Sequence, residues 1–171
     1  MTISKEILND IKVIIKYIVI GFIVGLIITN TLVKVVNVPS SSMEPNINSN
    51  SRLILSLVSY IRNDVNRGDI IVFTLGNTQY VKRVIGLPGD KVKCIQGIIY
   101  VNDIELEENY LAEHNTSDFE EVSVPSDSYF VLGDNRDNSF DSRYWNNPFV
   151  SKDMIIGKII AEIAPKFRLL T

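Results

Sequence analysis

Tyr80-Val81-Lys82-Arg83-Val84-Ile85-Gly86-Leu87-Pro88-Gly89-Asp90 reads as a strand ended by a turn. Apolar and β-branched residues dominate its first half, and Leu87-Pro88-Gly89-Asp90 closes it, so the pattern predicts a strand over Gln79–Ile85. Within that strand stands one lysine whose neighbours on the strand point to the opposite face. A lysine held in an apolar pocket loses its proton readily and can serve as a base. Upstream lies Pro39-Ser40-Ser41-Ser42-Met43-Glu44-Pro45, which offers serine hydroxyls in a proline-bounded turn. A serine beside such a base becomes a nucleophile. The two segments together predict Ser-Lys hydrolase chemistry.

The same strand signal recurs on both sides. Arg52–Val58, Ile70–Phe73 (entered through Arg67-Gly68-Asp69), Tyr129–Leu132 and Met154–Ile163 are further candidates. Lys91–Ile95 and Ile98–Val101 read as a hairpin across Gln96-Gly97, and Asn102-Asp103 turns into Ile104–Leu106. Short strands at this spacing predict a mainly β domain, a barrel or a sandwich. Glu105–Asp127 is polar and acidic and reads as an exposed loop or small cap. His114 lies in it and reads as solvated, and Asn115-Thr116-Ser117 matches a glycosylation triplet of the kind that arises by chance.

Composition bounds the function. The 171-residue chain is 46% apolar with a net charge of -3, which excludes a disordered chain and gives no basic excess for nucleic acid. Cys94 is the only cysteine and reads as a strand residue; with a single histidine beside it, no metal-ligand set and no cofactor site is expected. Tyr17–Val33 is an uncharged apolar run at the short end of the spanning range. No small-x-small cleavage site follows it before Pro39, so it predicts an uncleaved anchor in the lipid bilayer. Lys5, Lys12 and Lys16 precede it, which places the N-terminus in the cytoplasm and the remainder outside a cytoplasmic membrane, as a single-pass protein. The resulting division is 1–34 as stub and anchor and 35–171 as an extracytoplasmic catalytic domain, with a small cap or loop over about 96–127. Gly21 and Gly25 form a small-residue pair in the span, which suits either a dimer face or simple tolerance of small residues.

Four blocks taken together resemble the bacterial type I signal peptidases: Ser40–Pro45, Arg67–Phe73, Tyr80–Asp90 and Gly133-Asp134-Asn135-Arg136-Asp137-Asn138-Ser139-Phe140-Asp141-Ser142-Arg143-Tyr144-Trp145. The resemblance implies a membrane-bound serine endopeptidase, in a minimal single-anchor form, whose partners are signal-peptide-bearing precursors. By resemblance Ser42 is the nucleophile and Lys82 the general base. Ser40 helps the Ser42 N–H hold the oxyanion, and Ser139 orients the lysine amine. Val36, Val38, Met43, Ile47 and Val81 are expected to line shallow apolar pockets, with plain core packing as the alternative. Arg83 and Arg143 are expected to pair with Asp134 or Asp141 as a structural brace, and Gly133 to sit where a side chain would strike neighbouring backbone. Asn46-Ile47 departs from the family's usual residues after Pro45, at a pocket-side position.

Two other classes compete. A self-cleaving repressor-like protein also uses a Ser-Lys pair, but would need a DNA-binding domain and an internal Ala-Gly site, and the chain has no Ala-Gly pair. An inert membrane-tethered β domain that binds partners would not need both Ser42 and Lys82. The eukaryotic microsomal relatives expect histidine where Lys82 stands.

Overall fold

The computed structural model describes residues 5–61, 63–111 and 116–170, with side chains in the first helix given at 7–26 and 32. His114 and Asn115 lie outside the described residues. Helix α1 (Lys5–Leu32) leads directly into β1 (Val33–Asn37). There follow β2 (Arg52–Ser56), β3 (Ile70–Leu75), β4 (Thr78–Gly86), β5 (Lys91–Ile95), β6 (Ile98–Val101), β7 (Ile104–Glu105), β8 (Phe119–Ser123), β9 (Ser128–Leu132), β10 (Val150–Ser151), β11 (Ile155–Ala164) and β12 (Arg168–Leu169).

The strands form two antiparallel sheets. The larger runs β1-β2-β11-β3-β4-β9-β10, with β12 also on β11; the smaller runs β7-β6-β5-β8. Among the described residues no ladder joins β1 to β10, so the larger sheet stays open and the barrel alternative is not realised. The reason is visible at its ends. β10 is only two residues long, and the chain between β4 and β9 is spent on the second sheet.

The expected hairpin is present with Gln96 and Gly97 at φ 52° and 81°, the left-handed pair that a two-residue turn between twisted strands requires. Glu105–Asp127, read as an exposed loop or small cap, is not wholly an exposed loop. It contains β8, which pairs with β5, and it buries Glu108 and Thr116. Phe119-Glu120-Glu121-Val122 escapes a strand reading because its charges suit an edge strand, where they deter further pairing.

Central β4 distributes its side chains among three cores. Val81 packs against Val38, Met43, Ile47, Leu53, Leu55, Ile70, Val72 and Ile159. Tyr80 and Val84 join Ile71, Phe73, Tyr129 and Val131 on the other face. Past a register shift between Val84 and Gly86, Ile85 joins Val92, Cys94, Ile99, Phe130 and Leu132 against the smaller sheet. Each large side chain fully removed from water contributes about 1.5–3 kcal/mol, so β4 is held rigidly from both faces.

Among the described residues no helix is long and apolar enough to cross a membrane. The expected span 17–33 continues through 27–31, whose side chains lie outside the described residues.

Candidate active site

Lys82 owes its position to β4, where it pairs with Ile71 of β3 and is 3% exposed. Strand alternation sends Arg83 to the opposite face. There Arg83 Nε and Nη2 grip the two Asp134 oxygens at 2.8 and 2.6 Å, and Nη1 donates to the Gly68 carbonyl at 2.9 Å. The Tyr110 ring lies 4.0 Å from the guanidinium carbon. The second cation is thereby turned away and neutralised, and Lys82 faces a cavity of about 540 Å³ lined by Ser40, Ser42, Tyr80, Ser139, Phe140 and Tyr144 among others.

Lys82 Nζ lies 2.6 Å from Ser42 Oγ, and Ser42 is itself buried. Burial pushes the Lys82 ammonium down to about 8; Asp141 works against that shift and Arg143 adds to it. The low pKa and the short contact have one cause, a cation held in a nearly dry place beside a hydroxyl. While protonated, the amine donates to Ser42 Oγ. Once deprotonated, its lone pair can accept the hydroxyl proton.

The Gly133–Trp145 block builds the wall opposite. Arg143 Nε and Nη2 hold Asp141 at 2.8 and 2.9 Å, and Asp141 Oδ2 accepts the Gly133 N–H at 3.0 Å. A Cβ on Gly133 would come within 2.5 Å of the Ser42 carbonyl oxygen and closer still to Ser139 Oγ, so only glycine lets this loop approach the serine turn. Asn135 donates its backbone N–H to the Ser42 carbonyl at 3.0 Å and its Nδ2 to the Ser41 carbonyl at 3.2 Å. Asn138 Nδ2 reaches Ser41 Oγ at 2.7 Å, and Asn46 Nδ2 reaches Asp134 Oδ2 at 2.9 Å. Behind the loop, buried Arg136 binds Glu108 through Nη1 at 3.0 Å and Nη2 at 2.5 Å, Thr116 Oγ1 at 2.7 Å and the Gly133 carbonyl at 3.0 Å.

The other expected site residues divide. Ser40 Oγ lies 3.3 Å from Ser42 Oγ at the cavity mouth. Ser139 lines the cavity, but among the described residues its buried hydroxyl has no partner, so the expected bond to the Lys82 amine is not made. Its side chain is wedged beside Gly133 instead. Val38, Met43 and Ile47 are 0–2% exposed and pack in the core, as the alternative to pocket walls has it. Val36 and Val81 are half-buried over the same core. Cys94 is a buried strand residue whose thiol burial pushes up to about 11, far from a reactive thiolate. The sequence assigns no role to Asn135 or Arg136, because a solvated loop carries the same concentration of asparagine and charge, and Asn46, read there as a pocket-side departure, bonds Asp134 instead.

Residues 11–163 match the family described as signal peptidase, peptidase S26. A probable signal peptidase I-2 of Synechocystis is 43% identical over 144 residues, covering 78% of this chain and 65% of that protein. Signal peptidase I of Bacillus amyloliquefaciens is 38% identical over 149 residues, covering 81% of this chain and 80% of that protein. Among solved structures, a signal peptidase I from Enterococcus faecalis V583 is similar with a TM-score of 0.52 and 36% identity, covering 56% of this chain and 97% of that one.

Proposed function

Since the chain belongs to the signal peptidase family, peptidase S26, whose members are serine endopeptidases, we propose that it removes signal peptides from exported precursors, with Ser42 as nucleophile and Lys82 as general base. The observation that carries this is the 2.6 Å contact between a nearly dry lysine amine and a buried serine hydroxyl. Neutral Lys82 takes the Ser42 proton as Oγ adds to the scissile carbonyl. The resulting oxyanion is met by the Ser42 N–H and the Ser40 hydroxyl. The Lys82 ammonium then returns its proton to the leaving amine, which departs and leaves an acyl-Ser42 ester. Water, deprotonated by the same amine, hydrolyses that ester. Arg83, Asp134, Asp141 and Arg143 touch no reacting atom in this scheme and act as the frame.

The reaction needs the neutral amine, so the rate follows its fraction. Cleavage should rise about tenfold per pH unit through the acid range and level off above a midpoint near 8, the value to which burial lowers Lys82. Initial rates on one precursor from pH 5.5 to 10 check this. A plateau already reached by pH 6.5 would point to a base other than Lys82.

Of the five expected pocket residues, Val36 and Val81, half-buried over the core that holds Met43, are the two left for small substrate side chains once Val38, Met43 and Ile47 are assigned to the core. An extended substrate presents positions one and three before the scissile bond to the same face. In this reading the apolar run Tyr17–Val33 anchors the enzyme in the cytoplasmic membrane, with the catalytic domain on its outer side. Exposed Ile14, Tyr17, Ile18 and Phe22 on α1 support that reading. Detergent-solubilised protein should cut a precursor ending in Ala-x-Ala and yield one new N-terminus. Ala→Leu at position one or three should block cleavage, whereas the same change at position two should be tolerated. Equal cleavage of the position-one and position-two variants would contradict the groove.

A further inference from the structure

Asn135 grips the peptide groups on both sides of Ser42. Its backbone N–H holds the Ser42 carbonyl at 3.0 Å, and its side-chain Nδ2 holds the Ser41 carbonyl at 3.2 Å. The second contact has a geometric consequence. The Ser41–Ser42 peptide is not among the cis bonds, which are Glu44–Pro45 and Ala164–Pro165. In a planar trans peptide the C=O and the N–H point in opposite directions. Whatever fixes the Ser41 carbonyl therefore fixes the direction of the Ser42 N–H. No described residue accepts a hydrogen bond from that N–H. The Asn138 bond to Ser41 Oγ restrains the same turn from its exposed side.

Asn135 is itself well seated. It opens the short 3-10 turn Arg136–Asn138, two residues beyond the end of β9, and the next residue is the buried Arg136 with its Glu108 and Thr116 partners. The turn that carries the amide is thus anchored to the larger sheet through β9 and to the β7–β8 segment before any substrate arrives. We infer that Asn135 is a positioning residue, which aims the Ser42 N–H at the developing oxyanion by pinning the Ser41 carbonyl. This rests on the reading of Ser42 as nucleophile. The Glu44 backbone N–H also donates to the Ser41 carbonyl, at 3.0 Å, so loss of the Asn135 amide loosens this peptide without freeing it. Removing a whole oxyanion donor costs about 10²–10³ in kcat, so loosening one should cost less, about 10–100-fold.

The test uses the full detergent-solubilised chain with Asn135→Leu, which is neutral and close in shape but lacks the donor, and with Asn135→Ala. Both keep the backbone N–H that holds the Ser42 carbonyl. Kinetics are measured below the melting temperature of each variant. A second probe is a peptide boronic acid, whose trigonal boron adds Ser42 Oγ to form a tetrahedral anion while Lys82 takes the hydroxyl proton. The matching peptide carboxylate, which forms no such adduct, is the control. The expected result is a kcat lowered about 10–100-fold, KM within twofold, and an unmoved pH midpoint. Boronate affinity should fall in step with kcat while carboxylate affinity holds. A kcat within threefold of wild type, a loss confined to KM, or a lowered kcat with undiminished boronate affinity would each overturn the inference. Failure of both variants to fold would make Asn135 a residue of stability and overturn it as well. Undiminished cleavage by Ser42→Ala would instead remove the premise, and is read separately in the same assay.

Discussion

Lys82→Met is expected to abolish precursor cleavage and, below pH 8, to make the protein more stable. The first effect follows if the amine 2.6 Å from Ser42 Oγ is the base, as proposed; nucleophile and base fail as a unit, so a loss of about 10⁴-fold or more is expected, and Ser42→Ala should match it. The second follows from burial. The folded protein binds the Lys82 proton only below about 8, against 10.5 for a lysine in water. The unfolded chain therefore holds more protons between these values, and wild-type stability rises with pH across that window. Below pH 8 the full penalty stands, roughly 3 kcal/mol at about 1.4 kcal/mol per pH unit. A methionine of similar length carries no charge and escapes it. Melting temperatures of wild type and variant at pH 6 and pH 10 check this. The variant should gain at pH 6, and the gain should shrink or vanish at pH 10. Retained cleavage, or a destabilisation equal at both pH values, would mean that Lys82 is a structural residue.

Arg136→Ala should damage the fold severely. The side chains of Arg136 and Glu108 are each 2% exposed, and the guanidinium ties the smaller sheet's connecting segment to the Gly133 loop. Breaking a buried pair by removing one partner costs about 3–5 kcal/mol, because the other charge is stranded. For a domain of this size each kcal/mol lowers the melting temperature by about 2–4 °C, so a fall of about 6–20 °C is expected by calorimetry. Arg136→Lys should rescue little, since an ammonium cannot reproduce the fork that meets Glu108, Thr116 and the Gly133 carbonyl together. Arg136→Met combined with Glu108→Leu should recover most of the loss by leaving no stranded charge. A fall below about 3 °C for Arg136→Ala would contradict the anchoring role.

The legible parts of this fold are those that local chemistry dictates. Lys91–Ile95 and Ile98–Val101 carry β-branched residues around a turn that needs two left-handed residues, and their bounds coincide with the observed strands. β8 was hidden because an edge strand tolerates Glu120 and Glu121 on its exposed positions. β1 was hidden because Val33–Asn37 follows the apolar run without a break. The serine–lysine pair was legible because few other arrangements call for a lone lysine in an apolar strand. The pocket valines were not, since the same residue types serve a core and a groove. Only the three-dimensional packing separates Val38 at 2% exposure from half-buried Val81. Nor could sequence find the Arg136–Glu108 pair, whose members lie in segments that each read as solvated charge.

Four serines crowd the cavity or its turn, and in the proposed mechanism one of them, Ser42, carries the covalent chemistry. The most direct measurement is acid quenching of the enzyme during turnover of a precursor, followed by proteolytic digestion and mass spectrometry of the acylated peptide. The account predicts an acyl adduct on Ser42, present in wild type and absent in Lys82→Met. An adduct on Ser40, Ser41 or Ser139 would contradict it, as would continued turnover by Ser42→Ala.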